Sequence, residues 1–393
     1  MDNLDKSEKI KLLSQGSYGC VYRPGLNCQK KIESDKFVRK IQEKGSNAMK
    51  EIDIGKKIKN IKNYQHFFAP IISSCPVSIS TIEKDEIKNC KIFNDTKSKY
   101  VSNKIIYVGN ETLEHFLLYL YESNPNNFFR LFINTHIDIL DAISLLNDNN
   151  IIHMDIKENN ILFNKKMNKP ILIDFGLSFD KNDINDKNIG IPFYIFASYT
   201  PWCFDIYVIN YPIHKLNETD WKTEIVTELH IKTICDSFID DNKQFKELFD
   251  DKDLNMFKEK SFTYMKSFIG KDWKTTVFEL LKFSNTWDNY SVSIMYLIIF
   301  RNIFDTDSFP FFIEYFELLK TNLFSIPSER VTTSVMKTNV SSIFDKILVK
   351  TKKQLDESIK KNSVNSVFIK TIKDTYAKKK LDNLTTEKDI YVL

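Results

Sequence analysis

The spacing of apolar residues changes once along this chain, and that change limits the fold more than any other feature. Residues 10–110 carry short runs with the alternation of half-buried strands, Lys11–Leu13, Cys20–Tyr22, Lys36–Ile41 and Lys104–Val108, interrupted by one amphipathic helical stretch, Asn47–Ile61. From about Phe128 the period becomes helical: Phe129, Phe132, Ile133, Ile137, Leu140, Ile143 and Leu146 follow an Asn-Pro-Asn-Asn entry signal at 124–127. A small, mostly β unit with one helix is therefore followed by a long buried helix, which the pattern ends at the turn Asn147-Asp148-Asn149-Asn150.

Two short apolar runs come next, Ile161–Phe163 and Ile171–Ile173, separated by the turn NKKMNKP; they predict a hairpin that displays a loop at each end. Residues 206–286 are charged, aromatic and helical in pattern. The tail from about 346 to 393 is Lys-rich with interleaved Asp and Glu, which reads as a solvated helical face. With 42% hydrophobic residues the chain can bury a sizeable core. Its 56 basic and 52 acidic residues leave a net charge of +4, too small to argue for nucleic acid or a membrane surface, so partners must be read from sites.

The longest apolar run, Ile294–Phe300, falls short of the roughly 20 residues that cross a bilayer, and the N-terminus MDNLDKSEKI lacks the apolar stretch of a signal peptide. The six cysteines, Cys20, Cys28, Cys75, Cys90, Cys203 and Cys235, form no C-x-x-C pair and no close group with His. The expectation is reduced thiols in a soluble cytoplasmic protein, with neither a disulfide framework nor a zinc site.

Glycine is scarce, 9 in 393 residues, so its positions carry information. In LLSQGSYGCVY (12–22) a strand, a turn with Gly16 and Gly19, and a second strand would let backbone N–H groups cover phosphate oxygens that a Cβ would keep away. By itself G-x-x-G is more often only a turn. Lys40 interrupts the apolar pattern of FVRKI (37–41), and the predicted helix offers it Glu51 as a partner, with Glu43 as the competing carboxylate. A lysine pinned in this way can hold the α- and β-phosphates of a nucleotide.

The densest chemistry lies in HMDIKENN (153–160) and ILIDFGLSF (171–179). Asp155, Lys157 and Asn160 stand on one loop, and Asp174 follows the second short strand, where Gly176 gives the backbone freedom and Phe175 an apolar anchor. This set suits phosphoryl transfer. Asp155 would orient an attacking hydroxyl and accept its proton, Lys157 would offset charge on the transferred group, and Asn160 with Asp174 would hold Mg²⁺ on the phosphates.

H-x-D-x-K-x-x-N followed by D-F-G, behind a Gly-containing hairpin and a strand lysine, resembles the eukaryotic-type protein kinase family. Lys157 is similar to the Ser/Thr-specific form. GSYGCVYRP, Met154 in place of an Arg, the inserted segment and a composition rich in Lys, Asn and Ile look like protein kinases encoded by large DNA viruses. The resemblance covers about residues 10–345. It implies an α+β, two-lobed fold: a β-rich N-lobe (10–110), a helical C-lobe (111–345) with an insertion at about 206–286, and the Lys-rich tail (346–393). It implies a Ser/Thr protein kinase that uses ATP and Mg²⁺ on a protein substrate, in host cytoplasm or virion if viral, and leaves the oligomeric state open. Nucleotide contacts would come from Gly16, Ser17, Gly19, Val21, Lys40 and Glu51, with backbone groups of Tyr107 to Gly109 meeting the adenine.

Other positions follow from the same resemblance. Arg330 in IPSERVTT would be structural, and the acid that organises the catalytic loop would be Asp288, with Asp205 as runner-up. His153 would be a structural partner of the backbone and not a base. No A-P-E motif is evident, PWCF (201–204) lying nearest. Met154 cannot bind phosphate, which implies activity without a phosphate clamp on the activation segment. A nucleotide-binding scaffold with little catalysis is the alternative, and a kinase-like small-molecule phosphotransferase the third reading.

Overall fold

The structure, a computed structural model, describes residues 10–16, 19–29, 31–78, 89–94, 98–193, 201–216, 220–303 and 313–346. Ser17 and the tail beyond Lys346 therefore lie outside the described residues. Contacts gather the described residues into two units, one of residues up to Glu111 with Leu162–Leu177, the other of Thr112–Ile161 with Ser178 to Lys346. Among the described residues no helix is long and apolar enough to cross a membrane.

The first unit is an antiparallel sheet of β1 (Leu12–Gly16), β2 (Gly19–Tyr22), β3 (Phe37–Glu43), β4 (Ile71–Val77) and β5 (Tyr100–Ile106), in the order β1-β2-β3-β5-β4. Helix α1 (Ser46–Lys59) joins β3 towards β4. Four of these strands overlap the predicted runs within a few residues. β4 was not legible, because Ser73 and Ser74 break its alternation; it is an edge strand, where Pro76 leaves no ladder bond unmade in the sheet interior.

The sheet is buried on both faces, which explains why β3 alternates so weakly: Val38, Arg39, Lys40, Ile41 and Gln42 are all buried. On the face of Cys20, Tyr22 and Ile41, Ile10, Cys90, Phe93 and Tyr100 close an apolar cluster. Beside it the β2–β3 connection carries Glu33, whose carboxylate accepts Arg39 Nε at 2.9 Å and Nη2 at 2.5 Å. Both segments are tied to the sheet covalently. Cys20 pairs with Cys90 and Cys28 with Cys75, with Cα separations of 6.1 and 5.8 Å.

The expectation of reduced thiols is thus wrong for four of the six cysteines. Partners 70 and 47 residues apart leave no spacing signature, and disulfides are not what a reducing compartment ordinarily leaves in place. Cys203 and Cys235 are free and buried.

The hairpin of β7 (Ile161–Asn164) and β8 (Lys169–Leu172) is present as predicted. Leu162–Leu177, expected with the large unit, instead packs with the β-rich one. Ala69 N–H donates to Leu172 O (3.0 Å), Leu172 N–H to Phe67 O (2.9 Å) and Phe163 N–H to Glu111 O (2.8 Å).

The second unit is mostly helical: α2 (Leu113–Ser123), α3 (Pro125–Asp148), α4 (Phe204–Lys215), α5 (Glu228–Asp241), α6 (Lys243–Leu248), α7 (Asp251–Met265), α8 (Trp273–Leu281), α9 (Trp287–Ile303), α10 (Ile313–Leu323) and residues 333–346. Pro125 opens α3, where its missing N–H is harmless. At the core Phe132 of α3 meets Tyr296 and Phe300 of α9 and Tyr315 of α10. Residues 206–286, expected to be helical, carry most of α4 and all of α5 to α8, where Phe204, Phe245 and Phe324 surround Phe257. The short pair β6 (Ile151–Ile152) and β9 (Phe179–Asp180) brackets the loop of interest.

Candidate active site

In the β-rich unit, Lys40 is the centre of a charged cluster. Its Nζ donates to Glu51 Oε1 (2.9 Å), Glu51 Oε2 (3.0 Å) and Asp174 Oδ1 (3.0 Å). Strand β3 sets Lys40 on the face that α1 covers, so Glu51 meets it; Glu43 is exposed and accepts Ser98 Oγ–H (2.8 Å) instead. Burial alone would lower the lysine's pKa, but the Asp174 and Glu51 carboxylates more than reverse it, and Lys40 ends above its ordinary value. Glu51 is pushed up, first by burial and further by Asp174, against the pull of Lys40. One ammonium is thus shared by two carboxylates.

Val21 stands opposite Lys40 across the β2–β3 ladder, and Gly19 closes β2 so tightly on β3 that a Cβ would lie 2.9 Å from Ile41 O. Gly19 is therefore required by the protein's own packing. At Gly16 a Cβ would meet no described atom within 4 Å, so the packing of the sheet does not require glycine there. Asp174 holds a left-handed backbone (φ 59°), and its Oδ1 also accepts Gly176 N–H at 3.3 Å. Phe175 is buried edge-on against Phe68. Past β5, Tyr107 commits its N–H to Lys36 O (2.9 Å), so that group serves the sheet and not a ligand, and Gly109 takes a φ of 121° that only glycine adopts readily.

In the helical unit, the loop after β6 is built around Asp155. Its Oδ2 accepts Asn160 Nδ2–H (2.7 Å), its backbone O accepts the same amide (2.9 Å), and Lys157 Nζ lies 3.1 Å from Oδ1. The structure therefore brings Asp155, Lys157 and Asn160 together. The loop hangs from α9: Asp288 Oδ2 accepts His153 N–H (2.7 Å) and Oδ1 accepts Met154 N–H (2.9 Å). Burial raises the Asp288 pKa, opposed by His153 and by these two backbone donors. His153 is fully buried, with Nδ1 accepting Asp155 N–H (3.3 Å), a backbone role.

Met154 has a left-handed φ of 68° and a buried side chain, and its carbonyl accepts Trp202 Nε1–H (2.8 Å). Asp205, considered for the role of Asp288, does something else. It accepts Arg330 Nη2–H (2.6 Å), Arg330 Nη1–H (3.2 Å) and Trp287 Nε1–H (2.7 Å), a buried pair that ties the PWCFD segment to the end of the unit. Sequence reasoning missed this pairing, and it missed Gln42, whose Nε2–H donates to Glu51 Oε2 at 3.2 Å. The only signal for Gln42 was its place two residues after Lys40.

No family model matches the sequence. The EKC/KEOPS complex subunit bud32 of Dictyostelium discoideum is 23% identical over 184 residues, 46% of this chain and 64% of that protein. A putative serine/threonine-protein kinase R436 of Acanthamoeba polyphaga mimivirus is 36% identical over 109 residues, 26% of this chain and 34% of that protein. This chain thus spans between about a third and just under two thirds of the length of these curated relatives. A crystal structure of the BubR1 kinase domain aligns with a TM-score of 0.43 at 15% identity, over 89% of this chain and 82% of that one. In sequence the chain is similar to protein kinases, a mimivirus protein named as a putative one among them, and its own fold is α+β, with a β-rich and a helical unit.

Proposed function

We propose that this chain is a protein kinase that transfers the γ-phosphoryl group of ATP to Ser or Thr hydroxyls of a protein substrate. The observation that carries the reading is Lys40, buried and held between Glu51 and Asp174 within 3.0 Å of each. A buried lysine fixed by two carboxylates is expensive to keep unless it anchors anionic phosphates. Similarity to a protein named as a putative serine/threonine kinase supports the choice of hydroxyl, as does Lys157 beside Asp155.

The roles follow from the groups. Lys40 binds the α- and β-phosphates, Gly16, Ser17 and Gly19 are the sequence's candidates for covering them, and Val21 and the backbone of Tyr107 to Gly109 are its candidates for the nucleoside. Asp155 takes the proton of the substrate hydroxyl at a carboxylate oxygen, and Lys157 offsets charge on the group in flight. Asp174 and Asn160 offer oxygen donors of the kind Mg²⁺ takes. The Asp174 side chain is 42% exposed, and the Asn160 N–H is spent on Asp155, which leaves its amide oxygen for a metal. Mg²⁺ held by donors of this kind would neutralise phosphate charge. Met154 supplies no cation for a phosphorylated activation segment.

The test incubates purified protein with Mg-ATP and a generic Ser/Thr protein substrate, comparing wild type with Asp155→Asn. Transfer should fall by roughly 10² to 10⁴-fold on loss of the base. If neither protein transfers phosphate while both bind ATP, the chain is a nucleotide-binding scaffold.

A further inference from the structure

The Lys40–Glu51 pair has a third member. Gln42 follows Lys40 on the same face of β3, is 4% exposed, and gives its amide N–H to the Glu51 oxygen Oε2 that Lys40 also binds. The opposite amide orientation would set oxygen against carboxylate, so the donor assignment is forced by charge. The amide oxygen of Gln42 has no partner among the described residues, which leaves the bond to Glu51 as the contact that holds this side chain.

A second constraint acts on the helix itself. Gly55 lies one turn after Glu51, and a Cβ there would stand 2.7 Å from Ile71 O and 3.2 Å from Ile71 N. Helix α1 therefore rests directly on the backbone of β4, with no side chain between them to slide.

Resting on the kinase reading above, we propose that Gln42 is a positioning residue for the phosphate-anchoring lysine: it fixes the Glu51 carboxylate towards β3 while Gly55 seats α1 against β4. The two contacts keep the anchor assembled by the chain's own residues. The groups facing Glu51 are Lys40 and Gln42 from β3 and Asp174 from the segment after β8, with Lys50 beside it on α1. Removing the Gln42 amide therefore takes away the contact from β3 that orients the Glu51 carboxylate independently of Lys40.

The experiment uses the full chain and the Gln42→Met variant, which keeps the volume and loses the donor. Mg-ATP affinity is measured by calorimetry, with melting temperature read on the same samples. Loss of one hydrogen bond to a charged group predicts roughly tenfold weaker nucleotide binding. In a Glu51→Gln background the same change should have no further effect on affinity. If Met is not tolerated, Gln42→Asn, polar but too short to reach Glu51, replaces it. Affinity equal to wild type, or an equal loss in the Glu51→Gln background, overturns the proposal. Transfer by wild type against Asp155→Asn is read separately: no transfer, with Gln42→Met still binding more weakly, removes the kinase reading and leaves Gln42 its role.

Discussion

Asp288→Asn is the most informative single substitution, because it changes charge and one atom's bonding without changing shape. Both carboxylate oxygens are occupied, Oδ2 by His153 N–H and Oδ1 by Met154 N–H, and the side chain is buried. An asparagine keeps one acceptor and sets an NH₂ against the other backbone N–H. The lost charge-assisted bond is worth about 1.5–3 kcal/mol, and a buried N–H left without an acceptor costs about 1–3 kcal/mol more. Met154 turns this into a shift of the loop and not a further loss of stability: its left-handed backbone, at φ 68°, costs about 1–2 kcal/mol and relaxes once its neighbours no longer hold it.

The expected loss is therefore about 3–6 kcal/mol of stability in the helical unit, read from the urea midpoint of tryptophan fluorescence. Transfer should fall by roughly 10²-fold even where the protein stays folded, since Asp155 follows Met154 directly and a displacement of about 1 Å is enough. A variant within about 1 kcal/mol of wild type would show that the loop is not hung on α9, and the account of its geometry would fail.

Two further outcomes test the core around that loop. Asp205→Ala strands the buried guanidinium of Arg330 and the Trp287 indole N–H; a loss of about 3–5 kcal/mol is expected, a melting shift near 10 °C, while Asp205→Leu with Arg330→Met should recover most of it. His136 is fully buried, stacked 4.3 Å from Tyr296 and bonded to Tyr315, and burial pushes its pKa down to about 3 from 6.5. The unfolded chain takes up this proton below pH 6.5 and the folded one does not. Stability should drop by about 2 kcal/mol between pH 7 and 5, measured by urea unfolding, and His136→Phe should flatten that slope; an unchanged slope would mean other groups set it.

What could be read in the sequence was local. The apolar run of β3 and the helical face of α1 placed Lys40 and Glu51 on elements that pack, and the entry signal at 124–127 marked the start of α3 within about three residues. Partners set by long-range packing were not legible. The sequence offered Asp205 and Asp288 as rivals for one role, but the fold employs both, one against Arg330 and the other under the loop that carries Asp155. Arg330 lies 125 residues from Asp205, and no spacing rule links positions so far apart.

The cysteines make the same point with a physical reason attached. A five-stranded sheet with one helix leaves its second face bare, and a unit of about a hundred residues gains little from leaving apolar strands wet. Here the β2–β3 connection and the segment at Cys90 cover that face, yet each is short and carries few apolar side chains of its own. Disulfides closing 70 and 47 residues remove about 4 kcal/mol each of unfolded-chain entropy in the loop-closure account, enough to hold such covers down. The pairs join residues that become neighbours only after the sheet has formed. A search for cysteines close in sequence was bound to miss them, just as a search for motifs was bound to miss Gln42: both act on groups that the fold, and not the spacing, brings within reach.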